Sequence, residues 1–221
     1  MSNAKISVNT RTLAVTAIMC AIAVILSFPF IGTIMLPQVA ATIAFLPVII
    51  SAITLGLVPG ITVGAAAGIA SWVRAVTLPA TVLSPYFMNP MVSILPRILI
   101  AVVVWLAFKG LMAIPLPKAI DRVPIAVGIS AAIGSATNTA AVLGSLYLYY
   151  AMPFRGGDPI FTFHAPPLAA QLTASGIETG VSAFIFGIVS FNAVIELIIN
   201  TLIATIIVLT LRNAKFAKLN K

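Results

Sequence analysis

Asn192, Glu196 and Asn200 stand four residues apart in FNAVIELIIN, a spacing that puts amide, carboxylate and amide on one face of a helix. A carboxylate in apolar surroundings is paired, protonated or wetted. It can join helices, touch a solute or a movable packing, or carry a proton, and one acid without a relay gives the last use thin support. Arg97 closes NPMVSILPR, residues 89–97, with Asn89 at the head and Pro90 and Pro96 between them. Proline lacks an N–H and suits a first helical turn, which places Arg97 near the mouth of a helix. Its guanidinium can snorkel to headgroups, brace Asn89 or a loop carbonyl, or hold a carboxylate in a cavity. Asn138 lies between Thr137 and Thr139 in GSATNTAAVLG and suits a neutral polar solute or a neighbouring helix. Arg74 and His164 complete the polar set. One histidine makes no metal site, so His164 is read first as a loop hydrogen-bonder.

The elements that carry these groups are set by the composition. The chain has 221 residues, of which 61% are hydrophobic and 7% charged. A soluble domain has roughly 25% charged residues, so this chain cannot build a water-facing surface. The low aliphatic content and high charge of disordered segments are also absent. Cys20 is the sole cysteine and lies in an apolar run, which excludes an internal disulfide. The sequence has no GxxxxGK[ST] loop, no HExxH and no GxSxG elbow. It therefore offers no ATPase chemistry of its own, and its few acids give an intramembrane enzyme little to work with.

A membrane helix needs about 20 apolar residues. Candidate spans run over 12–30, 39–57, 60–74, 91–114, 123–150 and 191–211. The expected fold is an all-α integral membrane protein, a compact bundle of six transmembrane helices. A seventh element is the rival, because 172–189 is moderately apolar and follows the polar-aromatic loop PFRGGDPIFTFHAPPL. The domain plan is a cytoplasmic segment 1–11, a single transmembrane domain 12–211 and a basic cytoplasmic tail 212–221. Six spans with both ends inside place nine of the twelve basic residues on the cytoplasmic side and Arg74, Arg97 and Arg155 outside. This asymmetry accounts for the net charge of +8 through anionic lipid, without nucleic acid. Trp72 and the cluster Tyr147, Tyr149 and Tyr150 read as interface belts.

Small residues supply the packing signals. Gly60, Gly64 and Gly68 recur every four residues in GITVGAAAG, and hydrophobic drive between helices in lipid is weak, so this face should lie against another helix of the chain. Ala17 and Ala21 form a second small face, open to internal packing or to a membrane partner.

With these segments in view, the chain from about residue 10 to 211 resembles the substrate-binding S components of energy-coupling factor vitamin transporters. The resemblance rests on the alanine face, the GLVPGITVGAAAG turn, NPMVSILPR, GSATNT and NAVIE. It implies a multi-pass protein of the bacterial cell membrane that captures a small water-soluble vitamin near the outer side. The loop between spans one and two, here FIGTIMLPQ at 30–38, would partly cover the ligand. It further implies docking through Ala17 and Ala21 onto a transmembrane coupling protein, the T component, served by two cytoplasmic ATPases. ATP would be hydrolysed by those partners, toppling of the chain in the membrane would release the ligand inward, and no cofactor would be bound. The three outer arginines favour an anionic solute, with pantothenate first and niacin or folate not separated by charge. The candidate substrate contacts are Asn89, Arg97, Asn138, Arg74, Asn192, Glu196 and His164. The region 152–190 is longer than a minimal member needs.

Overall fold

The computed structural model describes residues 10–35, 40–78, 87–115, 117, 121–146 and 190–214. In chain order these form α1 (Thr10–Leu26), a one-turn α2 (Pro29–Gly32), β1 (Thr33–Met35), β2 (Ala40–Thr42), α3 (Leu46–Thr54), α4 (Leu57–Thr77), α5 (Pro90–Ala113), α6 (Arg122–Leu146) and α7 (Ser190–Asn213). Setting aside the one-turn α2, six described helices make the bundle, and four of them, α4 to α7, are long and apolar enough to cross a membrane. The rival seventh element falls at 172–189, outside the described residues.

The second expected span takes a different form. Residues 39–57 do not make one continuous helix. β1 and β2 pair antiparallel, with Thr33 opposite Thr42 and Met35 opposite Ala40, and a nine-residue α3 follows. At 1.5 Å per residue α3 is about 14 Å long, half the hydrocarbon thickness. The local cause is legible: Pro47 sits in the first turn of α3, where its missing N–H costs no helical bond. Gly56 then takes φ 102°, a region that favours glycine, and turns the chain into α4.

The register of the bundle follows from close approaches. A Cβ added to Gly60 would lie 3.0 Å from Ala52 Cα on α3. At Gly64 it would lie 2.6 Å from the Arg97 carbonyl oxygen, and at Gly68 2.7 Å from Ile94 Cα, both on α5. The Trp72 indole N–H donates to the Met88 carbonyl at 2.8 Å, which extends the same antiparallel seam. A Cβ at Gly134 on α6 would meet Val104 on α5 and Ile49 on α3. Thr205 on α7 faces Gly128 on α6, and Arg212 pairs with Asp121 at 2.7 Å. The starts of α5 and α7 therefore lie at the same end of the bundle as the close of α4 and α6.

Polarity is distributed inside out relative to a soluble protein. Leu13, Ile18, Val58, Leu106, Leu202 and Ile206 are exposed, whereas Ser51, Ser93, Ser130, Asn138, Glu196 and Asn200 are buried. Lipid accepts the former without cost, and the latter require internal partners.

Candidate functional site

Asn89 is the N-cap of α5. Its side chain accepts from the Met91 N–H at 3.0 Å, and Pro90 fills the first helical position. An asparagine there satisfies one of the donors that every helix start leaves open. Ser93 Oγ donates to the Phe87 carbonyl, tying the preceding segment to the first turn. Two turns into α5, Pro96 and Arg97 are both buried. The Arg97 guanidinium lies 5.6 Å from the centre of the Phe87 ring, a cation–π distance. It is within electrostatic reach of the like charge of Arg74 and the opposite charge of Glu196. Its Nη1 is buried and finds no hydrogen-bond partner among the described residues. Arg97 is only 8% exposed, so its guanidinium is held inside the bundle rather than in the headgroups.

Asn138 on α6 is buried, 5% exposed, and its Oδ1 has no partner among the described residues. On α7, Glu196 Oε1 accepts from the Thr42 N–H at 2.7 Å, and Asn200 Nδ2 donates to the Thr42 carbonyl at 3.3 Å. Two of the three regularly spaced polar residues thus hold the end of β2. Asn192 is in the first turn of α7. Arg74 is half-buried in the last turn of α4. His164 and Arg155 lie outside the described residues.

The structure thus brings Arg97, Glu196 and Asn200 to one end of the interior, with Asn138 on the neighbouring helix. It places Asn89 as a cap. Sequence reasoning missed Thr42, whose contribution is its backbone N–H and C=O, groups that every residue carries. A groove of about 330 Å³ between α6 and α7, with Ala136, Leu143, Val194 and Leu197 in its walls, is almost wholly apolar. Thr139 is the one polar residue in its described lining, and none of the buried polar side chains named above lines it. Among the described residues no three His, Cys, Asp or Glu side chains converge as a metal site. On α1, Ala17 and Ala21 are exposed, with Leu13 and Ile18 beside them.

The bundle turns apolar side chains outward and buries Arg97, Asn138, Glu196 and Asn200, the polarity of a membrane-embedded protein. The profile of the family described as "ECF transporter, substrate-specific component" matches residues 11–208, and the chain belongs to that family. The chain is also similar to the pantothenic acid transporter PanT of Lactococcus lactis subsp. cremoris (strain MG1363). The two are 27% identical over 219 residues, covering 91% of this chain and 94% of that protein. The chain is accordingly the membrane-embedded substrate-binding component of an ECF-type transporter. Components of this kind are non-catalytic carriers, and ECF transporters generally work with a T component and ATPase subunits.

Proposed function

We propose that this chain captures a carboxylate-bearing vitamin, pantothenate first among candidates, at the outer end of the bundle. It delivers the vitamin inward when docked on a T component driven by two cytoplasmic ATPases. The observation that carries this reading is Arg97. A buried guanidinium nitrogen without a partner among the described residues is expensive in an apolar bundle unless an acceptor, such as that of an anion, is supplied. Arg97 feels the like charge of Arg74 as well as the opposite charge of Glu196, and a further negative charge beside it would offset the first. The similarity to a pantothenic acid transporter supports the choice of vitamin. The distribution of basic residues supports a bacterial cell membrane topology with both termini cytoplasmic and six spans, the hairpin and α3 together filling the second. The exposed Ala17 and Ala21 face is the proposed docking surface.

The test is mass spectrometry of small molecules released from protein purified from vitamin-fed cells, followed by titration of Arg97→Ala. Pantothenate near one per chain is expected. The folded variant should bind it at least about a hundredfold more weakly, from loss of a charge-assisted pair of about 3 kcal/mol. Another vitamin would replace the proposed substrate. A well-folded variant with unchanged affinity would remove Arg97 from the site, and uptake by this chain without ATPases would replace the docking scheme with secondary transport.

A further inference from the structure

In an antiparallel pair, successive residues turn their N–H and C=O alternately toward the partner strand and away from it. The Ile43 N–H reaches the Gly32 carbonyl on the β1 side at 2.9 Å, so Thr42 turns its own N–H and C=O outward. An edge strand leaves such groups open, and in an apolar bundle they need partners. α7 supplies both, with Glu196 Oε1 on the N–H at 2.7 Å and Asn200 Nδ2 on the C=O at 3.3 Å. Two side chains one helical turn apart thereby stand in for a third strand.

Asn200 has a second side. It is fully buried at 0% exposure, its amide nitrogen is engaged, and its Oδ1 has no partner among the described residues. A buried amide oxygen with an empty acceptor site requires an O–H or N–H donor. The Thr42 N–H is already held by Glu196.

We propose that Asn200 is a positioning residue that couples solute binding to the β1–β2 hairpin: its N–H holds the Thr42 carbonyl while its Oδ1 accepts a hydrogen bond from the solute. This rests on the solute site proposed above and adds a chemical requirement to it. The acid must also carry a hydroxyl or amide N–H. Pantothenate meets that requirement. Nicotinate, an acid with no such donor at neutral pH, can satisfy Arg97 alone. A donor on Oδ1 fixes the amide plane and polarises its N–H, so a filled site grips the hairpin more firmly.

The test is amide hydrogen exchange of the full chain in micelles, read at the segment containing Thr42. It compares wild type, Glu196→Gln, Glu196→Ala and Asn200→Ala, each alone, with pantothenate and with nicotinate. Without solute, Glu196→Ala and Asn200→Ala should exchange about tenfold faster than wild type, while Glu196→Gln, which keeps an acceptor oxygen, stays protected. Pantothenate should slow exchange in wild type and bind Asn200→Ala about tenfold more weakly without slowing it. Nicotinate binding should be indifferent to that substitution. Unchanged exchange in both alanine variants overturns the hold on Thr42. Pantothenate slowing exchange in Asn200→Ala as in wild type overturns the coupling. A wild-type chain that binds neither acid overturns the solute site and the coupling with it, while the solute-free comparison still decides the hold on Thr42.

Discussion

Gly64→Ala probes the joint on which Arg97 is mounted. The added Cβ would lie 2.6 Å from the Arg97 carbonyl oxygen and 3.1 Å from its carbon. A relaxed carbon–oxygen approach is about 3.3 Å, so α4 and α5 must part by about 0.7 Å. A gap of that size forfeits a quarter to a half of each dispersion contact along the seam. The obstacle is backbone against backbone, which no rotamer relieves, so the upper end of the overpacking range applies, about 3 kcal/mol. Alanine returns about 1 kcal/mol of helix propensity, leaving a net loss of about 2 kcal/mol. For a chain of this size that corresponds to a fall in melting temperature of about 4–8 °C. Gly110→Ala is the control. It gains the same propensity, and a Cβ there meets nothing within 4 Å among the described residues. Thermal unfolding of both variants in one detergent decides the matter: Gly64→Ala melting as high as Gly110→Ala refutes the close-approach argument. The displaced Arg97 backbone should also weaken solute binding, which the control leaves intact.

Three further outcomes are expected. Asn89→Ala removes the cap of α5 and should cost about 1 kcal/mol in thermal or denaturant unfolding, with Asn89→Asp retaining most of it. The Arg212 guanidinium and then the Val123 N–H hold the Asp121 carboxyl below the usual carboxylate range. A lowered acid stabilises the fold above its unfolded pKa, and that contribution fades as pH falls through the folded value. Melting temperature between pH 7 and pH 3 should therefore fall less in Asp121→Asn than in wild type, by a small margin because the pair is exposed. Ala17→Leu combined with Ala21→Leu should leave solute affinity unchanged and abolish co-purification with a T component; normal assembly of that double variant would place the docking face elsewhere.

The four long helices were legible because each is an apolar run of spanning length bounded by Pro, Gly or charge, as Pro90 and Pro115 bound α5. The hairpin was not. Residues 39–57 are apolar without a break in charge, and apolar content alone does not distinguish a buried strand from a buried helix. The regular spacing of Glu196 and Asn200 marked a polar face, yet their target is a backbone unit more than 150 residues away, and no side-chain pattern announces a main-chain partner. Asn89 shows the converse ambiguity. Asn-Pro is both a cap signature and a polar feature at a cavity mouth, and only the bond to the Met91 N–H identifies the cap.

The buried hydroxyls along α6 and α7 carry one more consequence. At the exposed side, Thr137 and Thr210 return their hydroxyls to carbonyls one turn back, whereas the buried hydroxyls of Ser130, Ser135, Thr201 and Thr205 have no partner among the described residues. Held dry, each such group costs about 1–3 kcal/mol. The α4–α5 joint, by contrast, is sealed by glycine contacts and the Trp72 bond. Four hydroxyls on these two helices thus remain to be satisfied, and one of the two helices, α7, is the one that holds the hairpin.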